Sequence, residues 1–170
     1  MYGVPERDGA RNEVKRFLVL FAVVMNLVLA DAVIKELAAG CLKGAAAVSV
    51  IPGLFNLAYV ENRGCAWGMF QGQVWPLAIF GLVALAFLIW RRKSVFGSGR
   101  LPAIAEPLLY AGIIGNIIDR LFRGYVIDMF DFHWGIHHFP CFNLADSCIC
   151  VAVGLLLLAS ILDKPKRTGT

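Results

Sequence analysis

The chain has 170 residues, of which 59% are apolar and 16% charged, with a formal net charge of +4 and a mean hydropathy of +0.70. Soluble domains run at about 45–50% apolar and about 25% charged, so an exterior wetted all round is excluded. The basic residues sit at the ends of apolar runs rather than on one face, which argues against nucleic acid as a partner.

A membrane helix needs roughly 20 apolar residues, with a range of about 17–25. Residues 1–16 form a basic tail with Arg7, Arg11, Lys15 and Arg16, and the first span follows from Phe17 to about Leu37. An outer segment over about 44–73 carries the β-prone run Phe55–Val60, the turn signal Asn62-Arg63-Gly64, and a second apolar run Ala66–Phe70. This pattern predicts either a hairpin closed at Asn62–Gly64 and lying at the lipid surface, or a loop packed on the helix ends. The second span is Val74–Trp90, and a loop with Arg91, Arg92, Lys93 and Arg100 leads to the third, Leu101 to about Ile118, which Pro107 is expected to bend. The stretch 119–141 precedes a fourth span, Phe142–Leu162, and a tail over 163–170 with Lys164, Lys166 and Arg167.

Of the 16 Lys and Arg, 11 fall in the first tail, the 91–100 loop and the last tail. Lys and Arg next to spans stay on the cytoplasmic side. Both termini are therefore expected inside, with 38–73 and 119–141 outside. The predicted fold is a mainly α membrane protein: a four-helix transmembrane bundle with a small extracytoplasmic β-rich cradle. The sequence Ala38-Ala39-Gly40-Cys41 after an apolar run also resembles a lipoprotein signal peptide. The charges at Asp31, Lys35 and Glu36 just before it favour a retained anchor, because that region of a signal peptide is uncharged.

Ionisable groups inside a span cost roughly 2.5–3.5 kcal/mol each on insertion scales and tend to mark function or pairing. Nearly every ionisable residue not needed for topology collects at the outer ends of the spans and in the outer loops, and Glu106 alone of these lies within a span toward the inner side. This favours chemistry at one interface over a path through the midplane. Asp31 and Lys35 are spaced i, i+4 to pair on one helix face. Asn116, Asp119 and Arg120 share a face at the end of the third span, and cations beside Asp119 suit a scaffold. Asn143 and Asp146 open the fourth span, where capping explains both. Asp128 is different, because it lies in the apolar run Gly124–Phe130, where turn chemistry does not account for it. A carboxylate in apolar surroundings near a second one can share a proton and activate water. Whether its partner is Asp131, Asp119 or Asp146 does not follow from spacing.

Asn62 offers amide groups to an extended peptide. His133, His137 and His138 flank Trp134 without metal-ligand spacing, and interfacial histidines are the better account. The five cysteines form no CxxC pair, and Cys148 and Cys150 should face apart on a helix.

Taken together, Gly115-Asn116-Ile117-Ile118-Asp119-Arg120, Gly124-Tyr125-Val126-Ile127-Asp128-Met129 and Phe142-Asn143-Leu144-Ala145-Asp146-Ser147 resemble bacterial lipoprotein signal peptidase, signal peptidase II. Asn62-Arg63-Gly64-Cys65-Ala66-Trp67-Gly68 resembles that family's Asn-x-Gly-Ala-Ala-Phe-like stretch, and Asp31 with Lys35 its first-span pair. The resemblance covers nearly the whole chain, with departures at Cys65 and Trp67.

It implies an aspartic peptidase of the inner membrane that cuts prolipoprotein signal peptides just before a diacylglyceryl-modified cysteine. By position the catalytic pair would be Asp128 and Asp146. Asn62, Gly64, Asn116, Arg120 and Asn143 would bind substrate or order that pair, and Asp31, Lys35 and Asp119 would support the fold. The resemblance further implies no metal or other cofactor, a monomer among membrane lipids, and sensitivity to cyclic peptides of the globomycin type. Two other classes fit the residues taken singly. A proton-coupled transporter would use the carboxylates as a relay, and a non-enzymatic assembly subunit would depend on packing glycines such as Gly112 and Gly115.

Overall fold

The architecture comes from a computed structural model that describes residues 6–162. The basic residues Lys164, Lys166 and Arg167 lie outside the described residues. The elements in chain order are helix α1 (Glu6–Leu42), strands β1 (Val48–Ile51) and β2 (Phe55–Asn62), and helices α2 (Val74–Trp90), α3 (Arg92–Phe96) and α4 (Arg100–Phe122). Strands β3 (Val126–Trp134) and β4 (His137–His138) and helix α5 (Leu144–Leu162) complete the fold.

The protein is thus mainly helical, with one small antiparallel sheet in the order β1-β2-β3-β4. Three helices, α1 over Gly9–Leu42, α4 and α5, are long and apolar enough to cross a membrane, and α2 is apolar but 17 residues long. Their outward side chains match that setting, since Phe17, Phe80, Val83, Leu157 and Ile161 are all exposed. Helix α4 is continuous through Pro107, so the proline does not end it.

Helix α4 is the hub, packing against α1, α2 and α5. Its glycines explain the closest of these approaches. A Cβ on Gly112 would run into the Ala145 carbonyl and come within 2.6 Å of the Ile149 side chain. A Cβ on Gly115 would come within 2.7 Å of Asp31 Oδ2 and 3.2 Å of the Ala145 methyl. Small residues let membrane helices approach backbone to backbone, where no hydrophobic force between helices drives association. Here they bring α1 and the first turn of α5 onto the same face of α4.

The outer segment departs from the sequence expectation. The hairpin is β1–β2, turning at residues 52–54 with Gly53 at a φ of 78°, and Ala66–Phe70 is not a returning strand. Ala66–Gly68 instead forms a single 3-10 turn, with Trp67 at φ 61° and Phe70 at φ 56°. The reason is tertiary: the free edge of β2 pairs with the distant β3, with Asn62 opposite Val126, Val60 opposite Asp128 and Asn56 opposite Asp131. Strand β3 is buried on both faces over Val126–Met129, and its successive side chains point to opposite faces. Ile127 and Met129 pack with Ala38 and Leu42 at the end of α1, so Asp128 points to the other face.

Candidate active site

Helix α5 begins where Asn143 and Asp146 cap each other. The Asp146 backbone N–H donates to Asn143 Oδ1 at 2.9 Å, and the Asn143 N–H donates to Asp146 Oδ2 at 3.3 Å. This is the reciprocal arrangement of a capping box, as the sequence suggested. The same Asn143 side chain is fully buried and donates through Nδ2 to Asp128 Oδ1 at 2.7 Å. One residue thus caps the helix and joins the two carboxylates.

The remaining oxygens are held just as closely. Asp128 Oδ2 accepts from Asn62 Nδ2 at 2.9 Å, and Asp146 Oδ1 accepts from Asn116 Nδ2 at 2.7 Å. Asn116 Oδ1 in turn accepts from Asn143 Nδ2 at 3.2 Å. Three asparagines from β2, α4 and the start of α5 therefore bracket two aspartates with neutral donors, and among the described residues neither aspartate makes an ion pair. Asp128 is 1% exposed, and burial together with the nearby Asp146 charge pushes its carboxyl up to about 7.

Gly64 and Arg120 tie the outer segment to this centre. The Gly64 N–H donates to Asn62 Oδ1 at 2.9 Å, and Arg120 donates to the Gly64 carbonyl at 3.0 Å and to the Asn116 carbonyl at 3.3 Å. Gly64 is buried, and a Cβ there would run into the Met69 carbonyl, so the loop closes only over a glycine.

Beneath lies a second buried cluster. Lys35, 1% exposed, sits 2.7 Å from Asp31 and 2.9 Å from Asp119, and donates to Asn116 Oδ1 at 3.4 Å. Asp31 also accepts from the Ala145 N–H at 2.9 Å, and Asp119 from the Ile127 N–H at 3.3 Å and from Arg123 at 3.0 Å. The cluster ties α1, α4, β3 and α5 together directly under the asparagines.

Two apolar cavities open beside Asp146, Asn116 and Arg120. One, about 510 Å³, is walled by Phe139, Cys141, Phe142 and Val151. The other, about 860 Å³, lies between α2, α4 and α5 against Phe70, Leu77, Phe80 and Ile113. Asp146 lines both.

With this geometry in view, the sequence profile of the signal peptidase (SPase) II family matches residues 23–162. The chain belongs to the signal peptidase II family. It is 39% identical over 151 residues to a lipoprotein signal peptidase of Syntrophotalea carbinolica, covering 87% of this chain and 94% of that protein. It is 38% identical over 152 residues to one of Shewanella loihica, covering 86% and 88%. A solved structure titled as a bacterial membrane enzyme superposes with a TM-score of 0.78 at 29% identity, over 89% of this chain and 94% of that one. As a signal peptidase II family member, the chain is a membrane peptidase.

The structure brings together Asp128, Asp146, Asn62, Asn116 and Asn143, and it leaves Asp131 out. Asp131 is three residues from Asp128, so on a strand it faces the opposite way; it accepts from Asn56 at 3.1 Å and lies 2.7 Å from His138 Nδ1. His133 stacks on His138 with ring centroids 5.0 Å apart, so two of the interfacial histidines serve the β3–β4 pairing. Cys148 is buried and Cys150 exposed, facing apart as expected. The cavity wall at Phe139, Cys141 and Phe142 carries no sequence signal beyond apolar character next to Pro140.

Proposed function

We propose that this family member is an aspartic endopeptidase in which Asp128 and Asp146 share one proton across a water molecule. The ionised member takes a proton from that water as it attacks the scissile carbonyl, and the protonated member donates to the carbonyl oxygen. The resulting tetrahedral intermediate collapses as the carboxyl that took the water proton passes it to the leaving amine and the other carboxylate recovers a proton from the intermediate's hydroxyl. The observation that carries this reading is Asn143, which holds Asp128 by its side chain and Asp146 by its backbone N–H and carbonyl cap. Neutral amide donors suit such a pair, because a cation in contact would hold both carboxylates ionised. Asn62, Asn116 and Asn143 then order the pair, Gly64 and Arg120 offer backbone and guanidinium groups to the substrate, and Asp31, Lys35 and Asp119 brace the bundle.

The substrate class is the prolipoprotein signal peptide, cut immediately before a cysteine carrying diacylglycerol. Two apolar cavities meeting at Asp146 suit a substrate with two apolar parts, a signal helix and a pair of acyl chains. A cyclic peptide of the globomycin type, lying across the same cavities, would compete.

We further infer that α2 is a fourth span. Its 17 residues reach about 26 Å at 1.5 Å per residue, close to the roughly 30 Å hydrocarbon core, and Trp75 and Trp90 suit the two interfaces. With the basic segments cytoplasmic, residues 1–16 and 163–170 are inner tails, 17–162 is the protease domain, and the site faces the outer side of the inner membrane. In this reading the enzyme works as a monomer.

The test is a reconstituted assay on a diacylglyceryl-modified prolipoprotein. Asp128→Asn and Asp146→Asn are each expected to abolish cleavage while inserting and folding normally. Normal processing by either variant removes the assignment.

A further inference from the structure

Glu106 and Asn116 are ten residues apart on α4, which places them about 15 Å apart along the helix. At the Glu106 end, away from the aspartates, a cavity of about 530 Å³ is lined by Glu13, Arg16, Phe17, Arg92, Lys93 and Glu106. Arg92 and Glu106 satisfy each other through a two-point contact, one arm at 3.1 Å. Among the described residues Arg16 and Lys93 make no ion pair. Against them stands Glu13 alone, so the cavity carries a net positive charge.

The cavity continues into a groove. Because α1 and α2 both pack on α4, a trough of about 270 Å³ runs between them, starting from Phe17 and Arg92 and lined by Leu20, Val24, Leu85 and Ile89. Tyr110 also lines the trough. It is 7% exposed, and its hydroxyl, beside Glu106, is without a hydrogen bond of good geometry among the described residues. A buried hydroxyl without a partner is costly, and this one lies where the charged and apolar halves meet. At the same level Trp90 is 76% exposed, with Arg91 over its ring at 5.5 Å, as for an anchor at the headgroup level.

We propose that this end of the bundle binds one anionic phospholipid, with its phosphate against Arg16 and Lys93 and one acyl chain in the trough between α1 and α2. The Tyr110 hydroxyl donates to an ester or phosphate oxygen. Basic pockets between membrane helices bind anionic headgroups in this way. A zwitterionic lipid fits less well, because its own cation would meet Arg16 and Lys93. A free phosphate fills only the charged half.

The experiment is native mass spectrometry of the full chain in mild detergent, titrated with phosphatidylglycerol or phosphatidylcholine and competed with glycerol phosphate. The expected result is one retained phosphatidylglycerol, preferred at least tenfold over phosphatidylcholine and not displaced by equimolar glycerol phosphate. Arg16→Gln and Lys93→Gln should each lower retention about fivefold. Tyr110→Phe should lower it too with the unfolding temperature little changed, since the hydroxyl's neighbour Glu106 is already held by Arg92. Equal retention of the two lipids, unchanged retention in the variants, or displacement by glycerol phosphate overturns the proposal. No arm depends on peptide cleavage, so the outcome is independent of the aspartate assignment.

Discussion

Lys35 Nζ lies 2.9 Å from Asp119 Oδ2, joining the first helix to the fourth at a depth where neither charge meets water. With Asp31 at 2.7 Å on the other side and Arg123 at 3.0 Å from Asp119, Lys35 and Arg123 together balance two buried carboxylates. Removing one member of such a cluster strands charge, at a cost of roughly 3–5 kcal/mol. Lys35→Met should therefore destabilise the protein by about that amount, measured as unfolding in mixed micelles. Adding Asp31→Asn should recover part of the loss. An unchanged unfolding midpoint in Lys35→Met would show that the cluster is not structural.

Capping and dyad support meet in Asn143, and a substitution can part them. Serine caps a helix about as well as asparagine, so Asn143→Ser should keep the helix start and change stability by less than about 1 kcal/mol. It cannot extend an amide to Asp128, so cleavage should fall at least tenfold. Full activity in this variant, measured at saturating substrate, would return Asn143 to a capping role alone.

Gly112 holds α4 against the first turn of α5, and a methyl there meets the Ala145 carbonyl. Gly112→Ala should destabilise by about 1–3 kcal/mol, the range for forced overpacking. Because α5 carries Asp146, activity should drop further than the folded fraction does. Comparing activity per folded molecule with the unfolding midpoint checks this.

Asp128 carries the pH dependence. Its carboxyl is pushed up to about 7 from the ordinary 3.8, so between those values the folded state holds a proton that the unfolded state has released. Stability must then fall as pH rises through that window and level off above it. Asp128→Asn has no charge to bury, and its stability relative to wild type should grow from pH 4 to pH 7. Cleavage by the wild type should fall on the alkaline side with an apparent value near 7, as the pair loses its last proton. A stability difference that is flat with pH would contradict the buried-carboxyl account.

Much of this was legible in the chain. The apolar runs located α2, α4 and α5 within a few residues, because a span is a length of hydrophobic sequence, whereas α1 starts eleven residues before Phe17, in polar sequence that an apolar run does not mark. Spacing of i, i+4 gave Asp31 with Lys35, and the caps gave the start of α5. The hairpin was misplaced because Asn62-Arg63-Gly64 looks like a local turn, while the edge it follows is claimed by a strand that begins 64 residues later, at Val126. Local pattern carries no information about such a partner.

What the sequence settled alone was membrane residence and the supply of acidic and amide side chains near one end of the spans, since both depend on composition along the chain. Which aspartate meets which was decided by the fold. Glycine-mediated contact of α4 with α5 and the β2–β3 register bring Asn143 between Asp128 and Asp146 and turn Asp131 away. Those contacts join residues far apart in sequence, and only packing in three dimensions sets their distances.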